Sequence, residues 1–204
     1  MVITHVTTSG NGCASILKDG ILDLKSAYQK RDSELRIFLE SKGIDILLDS
    51  NCLKYSGKYY DISFEDCPWN HESEEYAAWL VGRKFYYDFT VCGFFSINSN
   101  KPYDGKVHRR PEILRDLDNL LKTDLQRDWI QSHQAYEIVF KVPFRDILYG
   151  GRDSDTEEMV MSYLMDAYVC VSMGPDTEVV PCKNGVEISP DQILECNRFT
   201  LWDR

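Results

Sequence analysis

The sequence predicts a mixed α+β fold with a mainly antiparallel sheet and peripheral helices. Short segments with strand patterning alternate irregularly with amphipathic helices, and Gly, Asn, Ser and Pro residues mark the junctions. A chain of 204 residues that is 43% hydrophobic can also bury a core of its own. Because no repeat, low-complexity segment or Pro/Ser/Gly linker divides the chain, residues 1–204 are expected to form one globular domain.

The N-terminal segment predicts a strand, a turn and a helix. Residues 2–6 have the composition of a short strand, and either Ser9 or Asn11 can cap a helix that continues to Lys18. Gly20 then supplies the left-handed conformation that commonly ends a helix. Reactive side chains, a turn and a helix cap therefore occur together in this short stretch.

The next segment predicts a helix and a small set of strands. Leucine and phenylalanine at helical spacing indicate a helix over residues 33–42 that ends at Gly43. Turn residues then separate three short strands. These strands are predicted at residues 44–48, 53–55 and 58–62.

Two further helices and an aromatic strand are predicted in the middle of the chain. The first helix begins at Ser73 and stops near Gly82 or Arg83. Aromatic and β-branched residues favour extended structure over residues 85–97. Residues 111–130 carry the clearest helical pattern, with a proline in the first turn and a continuous apolar stripe.

The C-terminal part predicts strands around one helix. The elements are a strand at 136–142, a turn at Gly150-Gly151, a helix at 157–167 capped by Asp155 or Thr156, a strand at 168–173 and a helical turn at Pro190. The Asn-Gly step within residues 183–185 also predicts a hairpin between strands at 178–182 and 186–188.

Composition excludes several classes of protein. A net charge of −10 argues against binding a nucleic-acid backbone through a general cationic field. The chain has no apolar run long enough to cross a bilayer and no signal-peptide pattern, so a cytoplasmic protein without membrane contact is expected. The seven cysteines are scattered and are expected to be reduced. Phosphate-binding loops and the common hydrolase and metalloprotease motifs do not occur, and no metal site is predicted.

His5 is the sharpest candidate for chemistry. It lies at the end of the first predicted strand, and Thr7 and Thr8 follow it. One imidazole and two hydroxyls around a turn suit binding to ribose hydroxyls or to an amide. The alternative is a partly buried histidine whose ring is hydrogen-bonded to the backbone.

The stretch HVTTSGNGCASILKDGIL resembles the first strand and helix of the ADP-ribosyltransferase superfamily of the His-Tyr-Glu type. That superfamily includes the poly(ADP-ribose) polymerases, the tRNA 2′-phosphotransferases and the DNA-modifying DarT toxins. Its members open with an HxT-like strand and continue into a helix with a SIxxxGL step, which matches residues 15–22 here. The resemblance implies an ADP-ribosyltransferase-like fold that binds NAD as substrate, with His5 and Thr7 orienting a ribose. Many members have Gly after the His, where this chain has Val6.

The resemblance also implies a tyrosine that stacks on nicotinamide and a late glutamate that stabilises the transition state. Tyr86 and Tyr87 are preferred for the first role because they enter the predicted aromatic strand, although Tyr59 and Tyr60 also qualify. Two glutamates of the predicted late hairpin, Glu178 and Glu187, remain open for the second role. Tyrosines and glutamates in strands are also common as packing and surface residues.

Arg109 and Arg110 form a local basic cluster just before the strongest predicted helix, next to His108. They can contact the NAD pyrophosphate or a nucleic-acid or protein acceptor. The alternative is that they pair with acidic residues of neighbouring helices.

Three function classes follow from these observations. The first is an NAD-binding enzyme that transfers ADP-ribose to a macromolecule or cleaves the nicotinamide bond. The second is a non-catalytic protein-binding factor of a bacterial or phage defence or counter-defence system, which an acidic chain without a complete motif fits equally well. The third is a Mg²⁺-dependent nuclease or phosphodiesterase that uses His108 and scattered acids, although no spacing of acids supports it.

Overall fold

The computed structural model describes residues 1–148, 156–174 and 176–202, and the chain divides into two compact units. Unit 1 comprises residues 1–21, 90–109 and 134–204, and unit 2 comprises residues 22–89 and 110–133. Both contain helices and antiparallel strands, which confirms the mixed α+β prediction. The single-domain organisation stays a prediction. Among the described residues, no helix is long and apolar enough to span a membrane.

The described residues contain seven α-helices and eight strands. The helices are α1 (Ala14–Asp19), α2 (Leu24–Gln29), α3 (Glu34–Ser41), α4 (Glu74–Tyr86), α5 (Glu112–Leu121), α6 (Leu125–Ser132) and α7 (Thr156–Met173). The strands are β1 (Val2–Ser9), β2 (Ile44–Leu47), β3 (Cys52–Tyr55), β4 (Lys58–Asp61), β5 (Cys92–Ser96), β6 (Gln134–Lys141), β7 (Glu178–Pro181) and β8 (Ile193–Arg198).

Unit 1 is built on a five-stranded antiparallel sheet in the order β7-β5-β1-β6-β8, with β1 at its centre. Side chains alternate between the two faces of a strand, so the odd and even residues of β1 lie on different faces. Ile3 packs in a core with Val180 and Ile138, which we call face A. Val6 packs in a separate cluster with Phe94, which we call face B.

The predicted order of strand, turn and helix forms, but β1 extends to Ser9, Cys13 is the N-cap, and Gly20 has a positive φ outside the left-handed helical region. The Ser9 hydroxyl accepts hydrogen bonds from the backbone N–H groups of Asn11 and Cys13, and the Asn11 side chain accepts one from Ala14. Both capping candidates therefore contribute. Gly20 ends the helix at φ 88°, and a Cβ there would lie 2.0 Å from the Ile188 carbonyl oxygen, so only glycine permits this approach.

Two strand predictions in the C-terminal part of unit 1 are wrong. Residues 168–173 belong to α7 and not to a strand. The prediction was wrong because a run of apolar residues is compatible with a buried strand and with a helix. The predicted late hairpin does not form: Ile188 pairs with Ile21, and residues 186–188 belong to no strand of the described chain. The predicted Gly150-Gly151 turn and the Asp155 cap lie outside the described residues. A short 3₁₀ turn does begin at Pro190, and β8 follows it.

Unit 2 surrounds an apolar core with the three-stranded sheet β2-β3-β4 and helices α2 to α6. The largest fully buried side chains of this core include Tyr28, Phe85 and Trp129. The predicted strands at 44–48, 53–55 and 58–62 correspond to β2, β3 and β4.

Two helix predictions in unit 2 need correction. α4 does not stop near Gly82 or Arg83 but continues to Tyr86. The clear helical pattern over residues 111–130 contains two helices, α5 and α6, because Lys122 adopts a left-handed conformation at φ 56°. Leucine periodicity alone does not show this break.

Candidate functional site

His5 lies on β1, the central strand of the unit 1 sheet, on face A. Its Nδ1 donates a hydrogen bond of 2.7 Å to the Cys92 carbonyl oxygen of β5. Because a carbonyl only accepts, this bond fixes the proton on Nδ1 of the neutral ring and leaves the Nε2 lone pair as an acceptor. Burial lowers the pKa of His5, and this effect is larger than the opposite effect of the hydrogen bond to Cys92. The lowered pKa favours the neutral ring.

The two threonines after His5 lie on opposite faces of the sheet. Thr7 shares face A with His5 and is partly buried. Thr8 lies on face B and is buried. Of the two predicted hydroxyls, the structure therefore brings only Thr7 to the His5 side.

Glu178 is the first residue of β7 and lies on the same face as His5. Val180, two residues further along β7, belongs to the face A core, and alternation along the strand gives Glu178 the same orientation. β5 runs between β1 and β7, so the two backbones are separated by about 10 Å. Glu178 pairs with Ser96, three residues along β5 from the position opposite His5, so His5 and Glu178 share face A without contacting each other.

Gly93 occupies the strand position between His5 and β7. Thr4 pairs with Phe94, so His5 lies opposite Gly93, and Gly93 pairs with Val180 on β7. A Cβ at position 93 would lie 2.3 Å from Ile3 Cγ2 and 3.1 Å from the Thr4 carbonyl oxygen. Ile3 packs so closely against this position that only glycine fits here.

Glu178 interacts with a second carboxyl that sequence reasoning missed. Burial raises the pKa of Glu178, and a hydrogen bond and charge interaction with Asp166 of α7 raise it further. The Asp166 Oδ2 atom is buried without a hydrogen-bond partner. The nearby Asp166 carboxyl thus disfavours the charged form of Glu178. An aspartate within the apolar run of α7 was the sequence signal for this residue.

Tyr86 and Tyr87 do not lie on a strand. Tyr86 is the last residue of α4 and Tyr87 caps it, both in unit 2. Their hydroxyls donate to the carbonyl oxygens of Leu48 at 3.3 Å and Ser63 at 3.1 Å. The prediction was wrong because Phe85 and Tyr86 belong to α4 and pack in the unit 2 core, although their aromatic side chains favour a strand.

The tyrosine that the fold brings to the His5 side is Tyr136 on β6. It pairs with Thr7 across the strands and packs partly buried against the face A core. A Cβ on Gly12, in the turn before α1, would lie 3.9 Å from its hydroxyl oxygen. The sequence predicted β6 as a strand with alternating apolar residues. It did not predict which residues of β6 pair with β1, because that register depends on contacts distant in sequence.

Glu187 is exposed and lies in an irregular segment, so it does not share the strand context of Glu178. Arg110 is buried in unit 2, where its Nε donates to Gln126 Oε1 at 2.7 Å. Arg109 is exposed and belongs to unit 1. The predicted arginine pair is thus separated into one buried and one accessible side chain.

Arg109 lines a cleft of about 450 Å³ in unit 1. The cleft is lined by Pro102, Tyr103, Asp104, Lys106, His108, Arg109 and Trp202. Tyr103 and Trp202 pack with Val6 and Phe94, so this cleft is associated with face B, away from the His5 side of the sheet.

The cysteines and acids supply no metal site in the described part of the chain. All seven cysteines are free, and Cys13 and Cys182 are buried. No group of three or more His, Cys, Asp or Glu side chains within the described ranges is arranged to hold a metal ion. Burial raises the pKa of Cys182 to about 12, so this thiol stays protonated.

Comparisons with protein families, curated proteins and solved structures found no match to this chain. The site is therefore interpreted from its own chemistry. Face A carries a neutral imidazole acceptor, a threonine hydroxyl and a tyrosine ring on β1 and β6, and a glutamate at the start of β7. Such a set can orient a polyhydroxylated substrate and stabilise a developing positive charge.

Proposed function

We propose that the protein is an NAD-binding enzyme with an ADP-ribosyltransferase-like fold. It transfers ADP-ribose to a nucleic-acid or protein acceptor or cleaves the nicotinamide bond. The observation that carries this proposal is the presence of His5 and Glu178 on one face of the sheet, on the two strands that flank β5. The N-terminal resemblance supports the same assignment, although Val6 replaces the glycine found in many members.

His5 and Thr7 orient the nicotinamide ribose in this proposal. The His5 Nε2 lone pair accepts a hydrogen bond from a ribose hydroxyl, while the Cys92 carbonyl fixes the ring. The Thr7 hydroxyl lies on the same face and supplies a second polar contact. Tyr136, rather than Tyr86 or Tyr87, provides the aromatic surface for the nicotinamide ring because it shares face A with these residues.

Glu178 stabilises the charge that develops when the nicotinamide leaves. The bond between the nicotinamide nitrogen and ribose C1′ breaks, its electron pair departs with the nicotinamide, and positive charge develops on the ribose. The Glu178 carboxylate, beside Asp166, provides the negative charge that stabilises this state. An acceptor group or water then forms the new bond to C1′ and loses its proton.

The test is the release of nicotinamide from NAD, measured by chromatography on the wild type, Glu178→Gln and Glu187→Gln. Loss of a transition-state contact of this kind typically lowers kcat by about 10²–10³-fold, so Glu178→Gln should show such a loss. Glu187→Gln makes the same chemical change at an exposed site nine residues away and should retain wild-type release. Equal release by both variants, or no release by the wild type, would contradict the proposal.

A partner-binding function is the second candidate, and α7 favours it. This helix exposes a set of large apolar side chains. They are Met161, Leu164, Met165, Tyr168, Val169, Val171 and Met173. An exposed apolar patch of this kind is common at protein interfaces. Capture of one defined protein by the wild type and its loss in Leu164→Asp, without any NAD effect, would favour this second function.

A further inference from the structure

The loop before residue 110 forms the polar wall of the face B cleft. The Lys106 N–H donates to the Tyr103 carbonyl, and the Arg109 N–H donates to the Lys106 carbonyl at 2.8 Å. Lys106 adopts a left-handed conformation at φ 53° between these turns. Two successive backbone turns thus fix the positions from which the Lys106 and Arg109 side chains extend along the cleft.

The opposite wall is aromatic and rigidly held. The Trp202 indole N–H donates to the Asn98 carbonyl oxygen at 2.9 Å. Its ring packs edge-to-face against Phe94 and Phe199 and contacts the His108 ring at a centroid distance of 5.1 Å. Tyr103 packs against Phe94 as well but remains partly exposed. The cleft therefore presents a tyrosine ring beside a fixed indole.

The charge of the cleft is opposite to that of the chain. Lys106 and Arg109 carry two positive charges, Asp104 is the acid among the lining residues, and the chain as a whole has a net charge of −10. Both cations are exposed, and within the described residues neither side chain forms an ion pair. Two available cations on one fixed loop attract an anion, and arginine suits the geometry of phosphate oxygens.

We propose that this cleft binds a small organic phosphate of mononucleotide size. The phosphate lies between Lys106 and Arg109, with His108 beside it, and the organic part contacts the Tyr103 ring. A cleft of about 450 Å³ falls within the size range of small-molecule sites. Because it is associated with face B, it is separate from the face A site proposed for NAD, and either proposal can fail without the other.

The experiment measures binding of AMP, ribose 5-phosphate, inorganic phosphate and adenosine by calorimetry. All titrations use a His5→Ala background, so that binding at the proposed NAD site does not contribute. AMP and ribose 5-phosphate should bind more tightly than inorganic phosphate, and adenosine should not bind, because the phosphate provides the charge contact. Arg109→Gln and Lys106→Gln should each weaken AMP binding about tenfold, as expected for one charge-assisted contact.

Arg145→Gln provides the matched control, since Arg145 is an exposed arginine of unit 1 outside the cleft. It changes the net charge by the same amount and should leave the AMP dissociation constant unchanged. Equal weakening by Arg145→Gln would show that general charge attraction causes the binding. That result, an absence of AMP binding, or tight binding of adenosine would overturn the proposal.

Discussion

The two units use their polar side chains differently. In unit 2 the candidate residues Tyr86, Tyr87 and Arg110 are hydrogen-bonded to neighbouring backbone or side-chain groups. In unit 1 the His5 ring has one nitrogen bonded and the other available, and burial and the nearby Asp166 raise the pKa of Glu178. Residues with perturbed pKa values are common at functional sites. The function proposed above places the chemistry in unit 1 and gives these three residues of unit 2 a structural role.

The largest predicted effect tests the scaffold role of unit 2. The buried Asp118 carboxylate accepts bonds from the Leu125 and Gln126 backbone N–H groups, from the Gln126 side chain and from the Thr123 hydroxyl. Asp118→Ala leaves the buried Leu125 N–H and three partly buried donors without this acceptor and should lower the free energy of unfolding by about 3 kcal/mol. Chemical denaturation measures this loss.

Asp124→Ala is the control for that change. Asp124 precedes α6 as well, but its side chain is exposed and makes no capping bond there. Its removal should change the free energy of unfolding by less than about 0.5 kcal/mol. Equal losses in the two variants would show that the Asp118 carboxylate does not stabilise the junction between α5 and α6.

The sequence predicted the local parts of this account and missed the long-range ones. The order of strand, turn and helix in β1 and α1 was predicted correctly because the capping groups and Gly20 lie within a few residues of the helix they limit. Residues 85–97 and 168–173 were misassigned in part because aromatic and β-branched residues suit buried helices as well as strands. Periodicity in so short a window does not distinguish the two.

The composition of the candidate sites depended on contacts that one sequence does not reveal. Asp166 reaches Glu178 only because α7 packs near the end of β7. The face B cleft requires Trp202 to meet a loop about 100 positions earlier, as its bond to Asn98 shows. His5, Thr7 and Glu178 were singled out as candidates on residue type, and the fold supplies the face that they share.

The second prediction compares a carboxyl from each unit. Burial raises the pKa of Glu178 in unit 1 and of Asp116 in unit 2, so folding favours the protonated form of both. The stability contribution is fully present below the unfolded pKa, about 4, and is lost as the pH rises through the folded pKa. Glu178→Gln and Asp116→Asn should therefore raise the melting temperature at pH 7 and leave it little changed at pH 3.

Activity separates these two stabilised variants. Glu178→Gln should lose nicotinamide release, whereas Asp116→Asn should retain it, because only Glu178 lies on face A. A loss of release in Asp116→Asn comparable to that in Glu178→Gln would contradict the assignment of the chemistry to unit 1.

The smallest predicted effect concerns the two tyrosines of unit 2. Tyr86→Phe and Tyr87→Phe each remove one hydrogen bond to a backbone carbonyl and should cost about 1 kcal/mol or less. Neither should change nicotinamide release, whereas Tyr136→Ala should lower it through the loss of the ring on face A. Chromatography of the three variants tests this contrast, and a loss of release confined to Tyr86→Phe or Tyr87→Phe would reverse it.

The most direct test of the account is the effect of NAD on thermal unfolding. A ligand that binds only the folded state at about 100 times its Kd stabilises that state by about 2.7 kcal/mol, which corresponds to roughly 5–10 °C for a chain of this size. Wild type and His71→Ala, a control at an exposed histidine of unit 2, should show this shift, and His5→Ala should not. An equal shift in His5→Ala, or no shift in the wild type, would contradict the assignment of an NAD site to face A.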